Sequence, residues 1–151
     1  MSVLLVLHIL SAVIWVGGMF FAYVCLRPAA AELLEPPMRL QLWRDTLTRF
    51  FVWVWPVVII LPITGHSMIV SLGGMASVGT HVHIMLAVGY LMIAVFMHVF
   101  FTPFKRLKRA TKENNWQAAG SQLNQIRRFV LLNLILGVFT VSIAAAGRYQ
   151  F

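Results

Sequence analysis

Charge is scarce in this chain. Only 11% of its 151 residues are Asp, Glu, Lys or Arg, just four of them acidic, and the run from residue 50 to residue 104 contains none. A single cysteine, Cys25, excludes an intrachain disulfide and any CxxC metal or redox pair. Also missing are a glycine-rich phosphate loop, a nucleophile elbow, an internal repeat and a low-complexity tract. What is present is apolar: 60% of the residues are hydrophobic and the mean hydropathy is +0.85, more apolar surface than a soluble domain of this length can cover. The expected fold is all-α, an integral membrane four-helix bundle forming one transmembrane domain over residues 1–151.

Span positions follow from length. Val3 to Leu26 carries no charge, and a crossing needs about 20 apolar residues at 1.5 Å rise. This segment is longer than the apolar core of a cleavable signal and has no Lys or Arg before it, so it is expected to be retained. Phe50 to Phe104 holds two crossings, separated by the turn-rich stretch Ser71, Leu72, Gly73, Gly74 to Gly79 and Thr80. The spans are placed at 3–26, 50–71, 81–103 and 129–147. Between the first two, Pro36 and Pro37 precede Leu40, Trp43, Leu47 and Phe50 at helical spacing, which predicts a short amphipathic interfacial helix.

The net charge of +8 is not a nucleic-acid signature, because the cations cluster in two loops flanking the spans. One loop carries Arg27, Arg39, Arg44 and Arg49; the other carries Lys105, Arg106, Lys108, Arg109, Lys112, Arg127 and Arg128. The positive-inside rule makes both loops cytoplasmic and both termini periplasmic, in a bacterial-type inner membrane. The second loop also has an alternative use, as a site for anionic lipid or a partner.

Chemistry is therefore left to histidine. An ionisable side chain at membrane depth is costly and usually serves ligation or catalysis. His8 and His66 both fall roughly 7 Å inside the outer ends of their spans, and His83 lies slightly shallower at the start of the third. His98 is about 22 Å deeper than His83 and is expected to pack or hydrogen-bond between helices. His81 is read as interfacial. Three helical stripes are expected to face inward: His8, Ser11, Ala12, Trp15, Gly18, Met19 and Ala22; His83, Ala87, Tyr90, Ala94 and Met97; and Asn133, Gly137, Val141, Ala144 and Arg148.

Histidines between apolar helices suit one haem b per chain, with two of His8, His66 and His83 as axial ligands. Arg148 would meet a propionate, and Trp15 is a candidate cofactor contact whose bland reading is packing. The alternative is copper, held by the same histidines with Met19, Met68 or Met85. A third reading is an accessory subunit of a larger membrane complex, with histidines that only pack.

The run Leu7-His8-Ile9-Leu10-Ser11-Ala12-Val13-Ile14-Trp15-Val16-Gly17-Gly18-Met19-Phe20 resembles the first-span signature of CopD-like membrane proteins and the related HemJ-type protoporphyrinogen oxidases. Thr80-His81-Val82-His83-Ile84-Met85-Leu86 is similar to the HemJ-type motif opening the third span. The resemblance implies a haem b in a small helical bundle, weight on His8 and His83, and, for CopD-like proteins, copper uptake or resistance. Met85 stands where the HemJ-type enzymes have lysine, which argues against porphyrinogen oxidation, and the methionine-rich external tail of CopD-like proteins is missing. The leading expectation is a b-type redox protein; its partners would be membrane lipid and a quinol or other redox molecule. A homodimer would bring two His98 side chains together.

Overall fold

The computed structural model describes residues 2–147. Among them four long helices fill the chain: α1 Ser2–Leu33, α2 Pro36–Ser71, α3 Thr80–Lys112 and α4 Trp116–Gly147, each long and apolar enough to cross a membrane. Each is longer than a crossing requires. The surplus of α1, α3 and α4 and the first part of α2 gather at the end that carries the two basic loops, hereafter the basic end. The opposite end carries His8, His66, His81 and His83 and is the histidine end.

Each interruption has a local cause. Phe21–Leu26 and Phe100–Phe104 are wide π turns inside α1 and α3, and a proline lies just after the first, at Pro28, and within the second, at Pro103. A proline ring collides with the carbonyl four residues earlier and offers no N–H to it, and a wider turn relieves both problems. Between α2 and α3 the chain reverses through Gly73 and Gly74, whose φ values of 99° and 94° disfavour any side chain. Asn114, at φ 54°, turns the chain between α3 and α4, and Asn115 Oδ1 accepts the Ala118 N–H at 3.1 Å to open α4.

The helix expected at the interface between spans one and two is present but is not separate. No glycine or proline interrupts residues 38–55, so it runs straight into span two as one 36-residue helix. Leu40, Trp43 and Leu47 are 3–4% exposed, packed with Leu123 and Ile126 in the core of the basic end. They find a protein partner because α4 extends beyond its own span to meet them.

α1 packs along α2, and α3 along α4, with α4 also touching α1 and α2. α2 and α3 meet at Lys105–Lys112, but over Thr80–Phe104 their backbones scarcely approach within 8 Å. An aromatic wedge fills that gap near the basic end, where Phe51 lies edge-on to Phe104 at 4.7 Å and Trp55 edge-on to Phe100 at 5.1 Å. Large apolar side chains such as Val52, Ile59, Ile63 and Phe21 remain more than half exposed. Soluble monomers rarely leave so much contiguous apolar surface uncovered, and lipid is the solvent that accepts it. This is a multi-pass membrane protein.

Close approach of α1 to its neighbours depends on glycine at one of the two adjacent positions. A methyl at Gly18 would fall on the ring of Phe50, whereas one at Gly17 would meet nothing within 4 Å. Gly137 plays the same part on α4, its missing side chain occupied by Val16, whose Cγ2 would lie 2.8 Å from a Cβ there.

Candidate functional site

The α1 stripe faces inward as expected, with Ser11, Trp15 and Met19 buried and His8 half-buried. Trp15 packs edge-on against Phe96 at 6.3 Å, a core contact. The α4 stripe is inward at Asn133, Gly137 and Ala144 but not at Val141, which is 49% exposed; Arg148 lies outside the described residues. The α3 stripe turns outward except at Met97, which is half-buried against the core. His83, Ala87, Tyr90 and Ala94 are exposed, and α3 instead turns Met92, Phe96 and Val99 inward. In lipid both faces of a helix are apolar, so polarity did not mark the buried face.

His8 is anchored across the α1/α2 contact. Its Nδ1 lies 2.8 Å from Thr64 Oγ1, and the Thr64 hydroxyl also lies 2.7 Å from the Ile60 carbonyl. A hydroxyl has one proton to give. With that proton directed to the carbonyl, Thr64 accepts from His8, so Nδ1 carries the hydrogen and Nε2 keeps a free lone pair. Gly65 lies beside the ring: a Cβ there would sit 3.5 Å from His8 Cε1, in ordinary contact. Thr64 is 3% exposed, and its role was not expected from the sequence; the signal was a hydroxyl that ends the apolar run from Phe50 to Ile63 in span two.

The other two histidines reach the same state differently. His66 Nδ1 donates to the Pro62 carbonyl at 2.9 Å and His83 Nδ1 to the Gly79 carbonyl at 3.2 Å, each one turn back on its own helix. Carbonyls only accept, so in the neutral form of either ring Nε2 is the nitrogen without a proton. His66 crosses the α2/α3 seam to lie edge-on to Tyr90 at 6.0 Å, and His83 shares Tyr90's exposed face further along α3. Three imidazoles from three helices therefore lie at one end with Nδ1 committed and Nε2 available, which is how second-shell acceptors prepare histidine for a metal. They do not close on one point: among the described residues no three His, Cys, Asp or Glu side chains form a group able to hold a metal ion.

His81 is held rather than offered. Its ring lies between Gly79 and Gly147, where a Cβ would come within 2.8 and 2.6 Å of it. His98 packs edge-on to Phe129 at 4.9 Å, nearer the basic end. Met19 lines a cleft with Trp43 and Arg127 at the basic end and is thus removed from the histidines it was grouped with as a copper ligand. Met68 and Met85 are half-buried in the two helices that carry His66 and His83.

Fold and site together define a small polytopic membrane protein with histidines gathered at one end of its helices. The family model described as CopD, copper resistance protein D, matches residues 44–146, and the chain belongs to that family. The match covers spans two to four, so the first-span resemblance rests on its own residues. Comparison with curated proteins and with solved structures gave no match.

Proposed function

We propose that this protein handles copper as cargo in the membrane, the ion being taken at the histidine end by Nε2 of His8, His66 and His83 as separate points of contact, not as one closed site. The observation that carries this reading is the shared arrangement of the three rings, each with Nδ1 bonded to a fixed oxygen, which leaves Nε2 as the ligating nitrogen of the neutral ring. Imidazole nitrogen suits copper in either oxidation state, and the thioethers of Met68 and Met85 on the same helices are soft donors for Cu(I). The family's link to copper resistance supports the same class of cargo.

A haem b is the second reading, and the α2/α3 seam is what favours it. The two backbones stay apart there while His66, His83 and Tyr90 stand exposed along it. If bound, haem would supply one-electron redox chemistry, with quinol or another redox molecule as its partner. In that case two of the three histidines would be its axial ligands, and their second-shell oxygens would fix the ring orientation.

Metal analysis and absorption spectra on the detergent-purified protein, loaded with copper or expressed with ample haem, separate these readings. Copper handling predicts stoichiometric copper that falls in His8→Ala and His66→Ala and persists in His98→Ala. A sharp reduced α-band with matching iron, and no copper uptake, would replace it with the haem reading. Protein that takes up neither would overturn both.

A further inference from the structure

Among the described residues, two arginines at the basic end pair with no carboxylate. Arg27 at the end of span one stacks on Tyr23, its guanidinium carbon 4.9 Å from the ring centre, and Arg127 on α4 lies 5.8 Å over Trp43. Arg127 also donates from Nη1 to Asn124 Oδ1 at 3.3 Å. Its charged neighbours are Arg27 and Arg39, both positive. Among the described residues the ion pairs are Arg44 with Asp45 and Arg109 with Glu113, and neither includes these arginines. Like charges drawn together repel unless something negative sits between them.

The cleft they surround has the shape for it. Tyr23, Arg27, Asn124, Arg127, Arg128 and Leu131 line an open cavity of about 220 Å³. A narrower cleft, sharing Tyr23, Arg27 and Arg127, leads inward to Trp43. Two buried donors there, Arg127 Nε and Trp43 Nε1, have no acceptor among the described residues. A buried donor left unmatched is costly, so an acceptor-rich ligand would be favoured. The position is where the charge-free segment of span one gives way to the basic loops, the depth of lipid phosphates.

We propose that the cleft between Tyr23, Arg27, Asn124, Arg127 and Arg128 binds a phosphate-bearing anion. Guanidinium forks match phosphate oxygens two at a time, and the stacking on Tyr23 and Trp43 holds two of the forks in place before the ligand arrives. The source is an anionic lipid headgroup or a soluble phosphate, and the same chemistry recognises both.

The test uses the full chain in neutral detergent, with native mass spectrometry and thermal unfolding in the presence of phosphatidylglycerol, phosphatidylcholine or inorganic phosphate. Phosphatidylglycerol should bind about tenfold more tightly than phosphatidylcholine, and Arg27→Gln with Arg127→Gln should erase that preference. Arg106→Gln with Lys112→Gln removes the same charge from exposed positions elsewhere and should retain it. Stabilisation by inorganic phosphate alone, lost in the same arginine variant, would identify a soluble ligand; stabilisation by phosphatidylglycerol only would identify lipid, and both results support the site. If the double variant does not fold, Arg128→Gln, which is exposed, should still weaken phosphatidylglycerol binding a few-fold. A preference that survives the arginine changes, that falls equally in the control, or that is never observed overturns the proposal.

Discussion

The two ends of this bundle are built on opposite principles. At the basic end Leu107, Ala119, Leu123 and Ile126 are 0–2% exposed and α2 meets both α3 and α4. At the histidine end α2 and α3 draw apart, and the polar groups are imidazoles each fixed through one nitrogen. The contrast divides the labour. Packing outside the apolar spans, where water makes burial favourable, ties the helices together, and the other end is held by fewer helix contacts.

Substitutions at the two ends should therefore behave differently. The largest effect is expected at Leu107, fully enclosed in the basic end. Leu107→Ala should cost about 2–5 kcal/mol of stability, read as a lower unfolding midpoint in detergent, while copper stoichiometry in the surviving folded protein stays the same. Loss of copper at unchanged stability would break the division.

Gly18→Ala comes next. Its methyl would collide with Phe50, and overpacking of this kind costs about 1–3 kcal/mol. Gly17→Ala next to it should be nearly silent by the same melting assay. If both behave alike, the α1/α2 contact has been placed on the wrong face.

Thr64→Val sharpens the comparison from the histidine side. Removing the hydroxyl frees His8 Nδ1 and with it the choice of tautomer, and losing a second-shell partner typically weakens metal binding about 10–100-fold. The unfolding midpoint should move little. Unchanged copper affinity measured by competition titration would remove His8 from the ligand set.

The smallest effect concerns Asp45, whose carboxyl is held below its usual range chiefly by the hydrogen bond from Arg44. A depressed carboxyl contributes stability above its unfolded pKa of about 4, and that contribution is lost as pH falls through the lower folded value. Asp45 is exposed and Arg44 is 31% exposed, and such surface pairs contribute little. Asp45→Asn should leave the neutral-pH midpoint nearly unchanged and alter only the acid limb of a pH series. A clear loss at neutral pH would give this pair a larger role than its exposure allows.

Much of this architecture was legible in the residues, and the misses share a cause. Four charge-free apolar segments and a turn at Gly73-Gly74 were enough for the helix count, since a hydrocarbon core demands that backbone hydrogen bonds be satisfied within each segment. The inward face of α1 was readable because Ser11, Gly18 and Ala22 mark it with small residues. The face of α3 was not: Ala87 and Ala94 are small as well, yet they look outward beside His83. Likewise, the residues 38–49 were recognisably amphipathic, but nothing local to them says that α4 is long enough to cover Leu40, Trp43 and Leu47.

The sequence by itself determined that this is an apolar four-span protein with cations at its loops and histidines within its spans. Length, hydropathy and charge act segment by segment, so no knowledge of neighbours is needed. Only the tertiary structure decided that Thr64 orients His8, that His66 and Tyr90 face each other across a seam, and that Arg27 and Arg127 converge on one cleft. Those outcomes depend on which helix faces which and at what height, and packing across the bundle sets both.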